Sequence, residues 1–242
     1  MSTPLDGISA AILAGGLGTR LRAVVADRPK VLAPVAGRPY LAYLLDQLVG
    51  AGIRETTLLV GYAADQVQAT FGEHYRGMTL QYSVECEPLG TGGAIRMALP
   101  LLREKTILLL NGDSYCDVDV NALVEFHNHH GGRATLTLAQ VEDASRYGRV
   151  QLLETQRIAR FEEKSGAAEP GWINAGIYVL NRSDLEQIPP ECAVSLEREI
   201  LPGMVAAGNV FGFPGGRFID IGTPQSYAEA DAFFTPPPSA RD

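Results

Sequence analysis

Residues 8–20 read Ile8-Ser-Ala-Ala-Ile-Leu-Ala-Gly-Gly-Leu-Gly-Thr-Arg20, and the architecture can be worked out from this stretch. Ser9 to Leu13 is an unbroken run of small and apolar residues, as expected of a strand buried on both faces. Ala14 to Arg20 follows at once and holds three glycines, Gly15, Gly16 and Gly18. Glycine lets the backbone approach an anion closely, because no side chain stands where phosphate oxygens must lie. A buried strand feeding such a loop predicts an open α/β sheet that binds its ligand at the carboxyl ends of its strands.

The residues downstream repeat the alternation. Leu41, Leu44, Leu45 and Leu48 fall at i, i+3, i+4 and i+7, which predicts an amphipathic helix from about Pro39 to Gly50. A strand at Thr56 to Val60, a helix at Ala63 to Phe71, a strand at Leu80 to Glu85, a helix at Gly92 to Leu102 and a buried strand at Thr106 to Asn111 follow. This pattern, running from 8 to about 131, implies a Rossmann-like, mostly parallel sheet with helices on both faces. Beyond it the strands crowd together, at Ala134 to Val141, Arg149 to Glu154, Arg157 to Glu162 and Gly171 to Leu180, and predict a small antiparallel lobe. Helices at Leu196 to Ala207 and Gln225 to Phe234 flank a final strand pair between Val210 and Ile221. One domain over 1–234 is expected, with parts at 8–131 and 132–222 and a flexible tail at 235–242. No internal repeat marks a solenoid.

Composition narrows the possible partners. The formal charge of -8 over 242 residues argues against a nucleic-acid binder, which needs an excess of Lys and Arg to neutralise a phosphate backbone. Residues 1–38 differ: Arg20, Arg22, Arg28, Lys30 and Arg38 against Asp6 and Asp27 give +3 there and -11 on the remainder. A small polyanion could dock in that region. No long apolar run predicts a membrane span or a secretory signal, so a cytoplasmic protein is expected. Cys86, Cys116 and Cys192 are odd in number and widely spaced, which predicts reduced thiols.

Two common phosphate motifs fail against the glycine loop. A dinucleotide fingerprint starting at Gly16 would need glycine where Leu21 stands, and a Walker loop would need Gly-Lys-Ser/Thr where Gly18-Thr19-Arg20 stands. The set that does match is LAGGLGTRL followed by RPKVLAPVAGRP, which resembles the N-terminal signature of the sugar-1-phosphate nucleotidyltransferase family. The resemblance implies the GT-A-like nucleotidyltransferase fold, with 8–131 as the nucleotide part and 132–222 as the sugar-phosphate part. It also implies that the loop from Leu13 and Ala14 through Gly15, Gly16, Gly18 and Thr19 cradles the triphosphate, while Arg20 and Lys30 neutralise it and the departing pyrophosphate. Phosphoryl chemistry needs such fixed positive charge. Only three lysines occur in the chain, and two of them, Lys30 and Lys164, sit at motif positions.

Other segments match the same family in the same order. Glu85-Cys-Glu-Pro-Leu-Gly-Thr-Gly-Gly93 is similar to its base-recognition segment, implicating Glu85, Pro88, Gly90 and Thr91, with backbone groups of Leu89 to Gly92 completing the pocket. EPLGTGG resembles the branch that uses GTP with manno-configured sugars, and a manno-heptose 1-phosphate is the expected acceptor. Mannose 1-phosphate, or a uridylyl, cytidylyl or thymidylyl reaction, are the alternatives. A carboxylate at 85 suits guanine, whose N1–H and amino group are both donors, and uridylyl relatives tend to carry Gln there. Asp113, after the strand Thr106 to Asn111, and Asp220 in Arg217-Phe-Ile-Asp-Ile-Gly-Thr223 correspond to the family's acids for one Mg2+. Arg146-Tyr-Gly148, Glu163-Lys164 and Asn174-Ala-Gly176 resemble the sugar-phosphate contacts, implicating Gly148, Glu163, Lys164, Asn174 and Gly176.

A sugar phosphate is largely dianionic near neutrality, its second pKa lying at roughly 6, so it attacks without a general base. No catalytic His or Ser is expected. Phe126-His-Asn-His-His130 lacks the spacing and partner acids of a metal site. The partners implied are GTP and a sugar 1-phosphate, without nucleic acid or membrane, in a monomer or homodimer. The chain shows no hexapeptide-repeat region, so no appended acyltransferase is expected. A silent nucleotide-sugar-binding protein of the same fold would be expected to lack one of Arg20, Lys30, Asp113 and Asp220, all of which are present.

Overall fold

The computed structural model describes residues 5, 7–16, 18, 20, 21, 24, 25, 28–163 and 168–235, except for the side chain of Glu163. In chain order, strand β1 (Ile8–Leu13) leads through the loop to a short 3-10 turn (Lys30–Leu32) and a small hairpin of β2 (Pro34–Val35) and β3 (Arg38–Pro39). Helix α1 (Leu41–Ala51), β4 (Glu55–Val60), α2 (Ala64–Phe71), β5 (His74–Tyr75), β6 (Met78–Val84), α3 (Gly90–Ala98), β7 (Thr106–Asn111), β8 (Ser114–Cys116) and α4 (Val120–His130) follow. The second part holds β9 (Ala134–Val141), β10 (Gly148–Leu152), β11 (Ile158–Glu163), β12 (Gly171–Asn181), α5 (Arg182–Leu185), a π turn (Leu196–Ile200) running into α6 (Leu201–Ala206), β13 (Val210–Pro214), β14 (Phe218–Asp220) and α7 (Pro224–Phe234).

Local chemistry accounts for the helix ends. Leu41, Leu44, Leu45 and Leu48 of α1 are all buried, and Gly52 closes the helix at φ 98°, a left-handed conformation that glycine adopts without a Cβ penalty. Asp119 caps α4 by accepting from the Ala122 amide. Thr223 and Ser226 form a reciprocal capping box at the start of α7, with Pro224 at its first turn.

Among the described residues ten strands make one sheet, in the order β11-β10-β12-β7-β1-β4-β6-β5, with β9 also on β12 and β13 on β9. Strands β7, β1, β4 and β6 are mutually parallel, as the alternation implies. Period-two alternation puts Ala10, Ile12, Leu108 and Leu110 on one face with α1, α2 and α4. Ala11, Ile107 and Leu109 lie on the other face with α3, α5 and α6. The expected antiparallel strands are continuous with this sheet, because β12 pairs antiparallel with β7 through Ile177 to Asn181.

Strand β12 changes partner midway. Its later half borders β7, whereas Trp172 and Ile173 border β10. Between them a register irregularity against β9 spans Asn174 to Tyr178, and Gly176 there takes φ 80°. Strands β7 and β10 therefore part around Asn174 to Gly176, and a cleft opens between them.

The final strand pair expected between Val210 and Ile221 does not form. Strand β13 pairs in parallel with β9, and β14 pairs antiparallel with β8. Gly215 and Gly216 let the chain turn between these targets: a Cβ on Gly215 would lie 2.6 Å from Cys116 Sγ. No helix among the described residues is long and apolar enough to cross a membrane. Thr235 is exposed, and the remainder of the expected tail, 236–242, lies outside the described residues.

Candidate active site

The cleft lies at the carboxyl ends of β1 and β7, where chain progression along the sheet reverses from the β4 side to the β7 side, the usual place for a ligand in an open α/β sheet. Its cavity of about 480 Å³ is lined by residues distant in sequence, among them Leu13, Gly15, Gly16, Arg20, Lys30, Glu85 and Asp113. Of the site residues expected from sequence, Pro88, Gly90, Thr91, Gly148, Asn174, Gly176 and Asp220 also line it. Ala14 and Gly18 do not. The Ala14 amide instead donates to the Leu59 carbonyl at 2.7 Å, and Gly18, at φ 57°, backs the stem of Lys30. Thr19 and Lys164 lie outside the described residues, as does the Glu163 side chain.

Backbone bonds assemble the floor. The Gly112 amide donates to the Leu13 carbonyl at 2.9 Å, and a Cβ on Gly112 would lie 2.3 Å from that oxygen, so glycine is required where the ends of β1 and β7 meet. Asp113 follows directly. The Ile221 amide donates to the Asp113 carbonyl at 2.9 Å, and Asp220 stands opposite Ser114 in the β8–β14 ladder. Two acids more than a hundred residues apart are thus fixed on adjoining backbone.

Lys30 Nζ donates to Asp113 Oδ2 at 2.7 Å, with the lysine side chain only 10% exposed. Enclosure by the pocket walls opposes ionisation of Asp113, but the Lys30 ammonium, helped by Arg20, holds the carboxyl below its ordinary range. Asp220 Oδ1 accepts from the Gly222 amide and from Ser226 Oγ, both at 3.0 Å, with Arg146 Nη2 at 3.6 Å. This donor set suits magnesium, which takes one or two carboxylates plus phosphate oxygens and water. Among the described residues no group of three or more His, Cys, Asp or Glu is arranged for a metal. His127 is buried and paired with Thr135 and Asn181.

Glu85 forms the opposite wall. Its side chain is wedged between two glycines: a Cβ on Gly15 or on Gly61 would lie 2.8 Å from Oε1. Burial pushes its carboxyl pKa up, partly offset by the Leu89 amide, which donates to Oε2 at 3.1 Å. Much of the Leu89 to Gly92 backbone is occupied within the chain, because the Val194 amide donates to the Leu89 carbonyl and the Gly92 amide to the Val194 carbonyl, both at 2.8 Å. Gly90 sits at φ 69° with Val194 O 2.6 Å from where a Cβ would stand. The glycines of this segment thus let 192–196 pack on the start of α3.

That packing brings in residues that sequence reasoning missed. Ser195, Glu197 and Arg198 line the cavity. Glu197 accepts from Thr91 Oγ1 at 2.6 Å, from Ser195 Oγ at 3.2 Å and from the Tyr178 hydroxyl at 3.3 Å. Tyr178 in turn accepts from Asn174 at 2.7 Å and Asn111 at 3.3 Å. Burial, reinforced by Glu197, keeps the Tyr178 hydroxyl protonated well beyond its ordinary range. The only sequence signal was an uncommitted acid, Glu197, at the start of a helical pattern.

The cavity therefore has a cationic, carboxylate-bearing floor, an acidic wall at Glu85 and a hydrogen-bonding wall at Asn174 and Glu197, backed by the buried Tyr178. Residues 9–236 match the family model described as nucleotidyl transferase. The chain is 37% identical over 224 residues to D-glycero-alpha-D-manno-heptose 1-phosphate guanylyltransferase of Aneurinibacillus thermoaerophilus, covering 92% of this chain and 96% of that one. It is 35% identical over 229 residues to mannose-1-phosphate guanylyltransferase of Mycobacterium tuberculosis, covering 93% of this chain and 64% of the relative. The crystal structure of HddC from Yersinia pseudotuberculosis complexed with GMP-PN superposes with a TM-score of 0.83 at 32% identity, covering 94% of this chain and 99% of that one. Signature, sheet topology and these similarities agree, and the chain belongs to the nucleotidyl transferase family.

Proposed function

We propose that the chain transfers the guanylyl group of GTP to a sugar 1-phosphate, D-glycero-α-D-manno-heptose 1-phosphate foremost, giving a GDP-sugar and pyrophosphate. The observation that carries this is the meeting of Arg20, Lys30, Asp113 and Asp220 with Glu85 in one cavity sized for a small ligand. Glu85 supplies acceptors for the two donors of guanine. Arg20 and Lys30 offset the triphosphate charge, Lys30 being held ready at the floor by Asp113. Asp113 and Asp220 would hold Mg2+, which when bound supplies charge neutralisation at the phosphates. Asn174 and Gly176 face the acceptor sugar together with Gly148. By the motif alone, Lys164 is assigned to grip the acceptor phosphate and orient it for attack, and Glu163 to contact the sugar hydroxyls. Rate enhancement then comes from positioning and fixed charge, because the acceptor phosphate is already ionised.

The manno-heptose assignment is supported by the near-complete mutual coverage with the Aneurinibacillus relative. Mannose 1-phosphate is the second reading, favoured by similarity to the Mycobacterium protein. Pyrophosphate release from each of GTP, UTP, CTP and dTTP, measured with Mg2+ against a panel of sugar 1-phosphates, tests both. Turnover is expected with GTP and a manno-configured acceptor. Preference for another nucleotide would refute the role given to Glu85, and no turnover with any pair would favour a binding protein.

A further inference from the structure

The Asp220 carboxylate is held by a directed chain of hydrogen bonds that begins outside the metal pair. Arg146 Nη2 donates to Thr223 Oγ1 at 3.2 Å, Thr223 and Ser226 hydroxyl oxygens lie 2.9 Å apart, and Ser226 Oγ reaches Asp220 Oδ1 at 3.0 Å. Donor and acceptor counts give the direction. The Ser226 oxygen faces the Thr223 amide at 3.4 Å and the Thr223 oxygen faces the Ser226 amide at 3.3 Å, so both oxygens accept at the helix cap. The single Ser226 proton then goes to the ionised acceptor, which makes the stronger bond. Ser226 is 7% exposed, so water competes little for that proton. With the Gly222 amide on the same oxygen, Asp220 Oδ1 is occupied. Among the described residues no donor reaches Oδ2.

Arg146 gives this arrangement a purpose. Its Nη2 stands 3.6 Å from Asp220 Oδ1, close enough for attraction and too far for a hydrogen bond. The terminal torsion of an aspartate is soft and roughly two-fold, so a carboxylate without its hydroxyl anchor would turn toward the guanidinium and pair with it. We infer that Ser226, seated by Thr223 at the start of α7, is a positioning residue that keeps the 3.6 Å ion pair of Asp220 with Arg146 from closing into a hydrogen-bonded one and so leaves Oδ2 free for the metal. The inference rests on the assignment of Asp113 and Asp220 to a divalent cation.

Direct titration of the full chain with Mn2+, followed by the paramagnetic resonance signal of the free ion, tests it without turnover. Ser226→Ala is expected to weaken Mn2+ binding about tenfold, the size of one lost hydrogen bond to a charged group, and Ser226→Thr, which keeps the hydroxyl, to bind nearly as wild type. Adding Arg146→Met to Ser226→Ala should restore most of the affinity and raise it by a larger factor than the same change does in wild type, an excess that a purely structural role for the cap would not produce. Asp220→Asn is the control. If Asp220→Asn weakens binding and Ser226→Ala does not, or if Arg146→Met raises affinity no more than it does in wild type, the positioning role is overturned while the metal assignment stands. Wild-type affinity in Asp220→Asn removes the metal assignment, and the inference with it.

Discussion

Replacing Glu85 by Gln separates the proposed reading of the base from stability. In the native chain Oε2 holds the Leu89 amide and Oε1 lies against Gly15 and Gly61. A glutamine would keep its amide oxygen on Leu89 and turn its NH2 into the cavity, where it would meet the N1–H and amino donors of guanine. Losing hydrogen bonds from those donors to a charged acceptor, at about 1.5–3 kcal/mol each before relaxation, predicts a net loss of roughly 3 kcal/mol, or about two decades in kcat/KM for GTP. Uracil offers a donor beside acceptors and can pair with the amide, so the GTP-to-UTP preference should fall further still. Stability should move the other way. Burial raises the folded-state pKa of Glu85 above its unfolded value, so its contribution is favourable at low pH and lost as pH rises through the folded value. A neutral Gln avoids that cost at pH 7, and the melting temperature should hold or rise. Initial rates of pyrophosphate release with GTP and with UTP, alongside thermal melts, measure both effects. An unchanged nucleotide preference would refute the role of Glu85 in reading the base, and a large drop in melting temperature would refute the account of its burial.

Gly176→Ala puts a Cβ at φ 80° and 2.5 Å from Ser114 Oγ, at a cost of roughly 2–4 kcal/mol, or a fall of about 5–12 °C in melting temperature. Gly16→Ala meets no atom within 4 Å, so melting should be unchanged while KM for the nucleotide rises; unchanged kinetics would remove the glycine loop from the triphosphate site. Asp113→Asn should abolish turnover with the fold retained. Because Lys30 depresses the Asp113 pKa, wild type should lose stability as pH falls through that lowered value and the variant should lose less, a difference that melts across the acid range will show or exclude. Burial, only partly offset by Asn181, lowers the His127 pKa below the ordinary 6.5. Stability held by the neutral ring should be lost as pH falls below about 6.5 toward the folded value, and His127→Gln should flatten that slope in thermal melts between pH 5 and 7.5.

What the sequence revealed and what it hid follow from the range of the forces involved. The strand Ser9 to Leu13, the leucine stripe of α1 and the strand Thr106 to Asn111 are local patterns, and each appears within a residue or two of its expected bounds. The glycines at 15 and 16 could be placed because a strand leading into a glycine loop has few uses. Partner choice was hidden: β13 and β14 are adjacent in sequence and pair with different strands, a choice made by β9 and β8 and not by any residue within them. Glu197 was equally opaque, because its neighbours Thr91 and Tyr178 meet it only through the packing of 192–196 on α3. The occupied amides of Leu89 and Gly92 illustrate the converse. A motif can mark the wall of a cavity without saying which of its polar groups are spent on holding the wall up.

The irregularity at Asn174 to Tyr178 also governs how the chain can tolerate length changes. Asn174 and Tyr178 share one face of β12 and reach each other's polar atoms because four residues of β12 span only two of β9 there, Asn174 standing against Leu138 and Tyr178 against Leu136. Dropping one residue from the kink would turn Asn174 away from Tyr178 while Ile177 to Asn181 stayed locked to β7. This four-residue interval therefore works as a fixed ruler between the two halves of β12, open to changes of side chain and closed to changes of length.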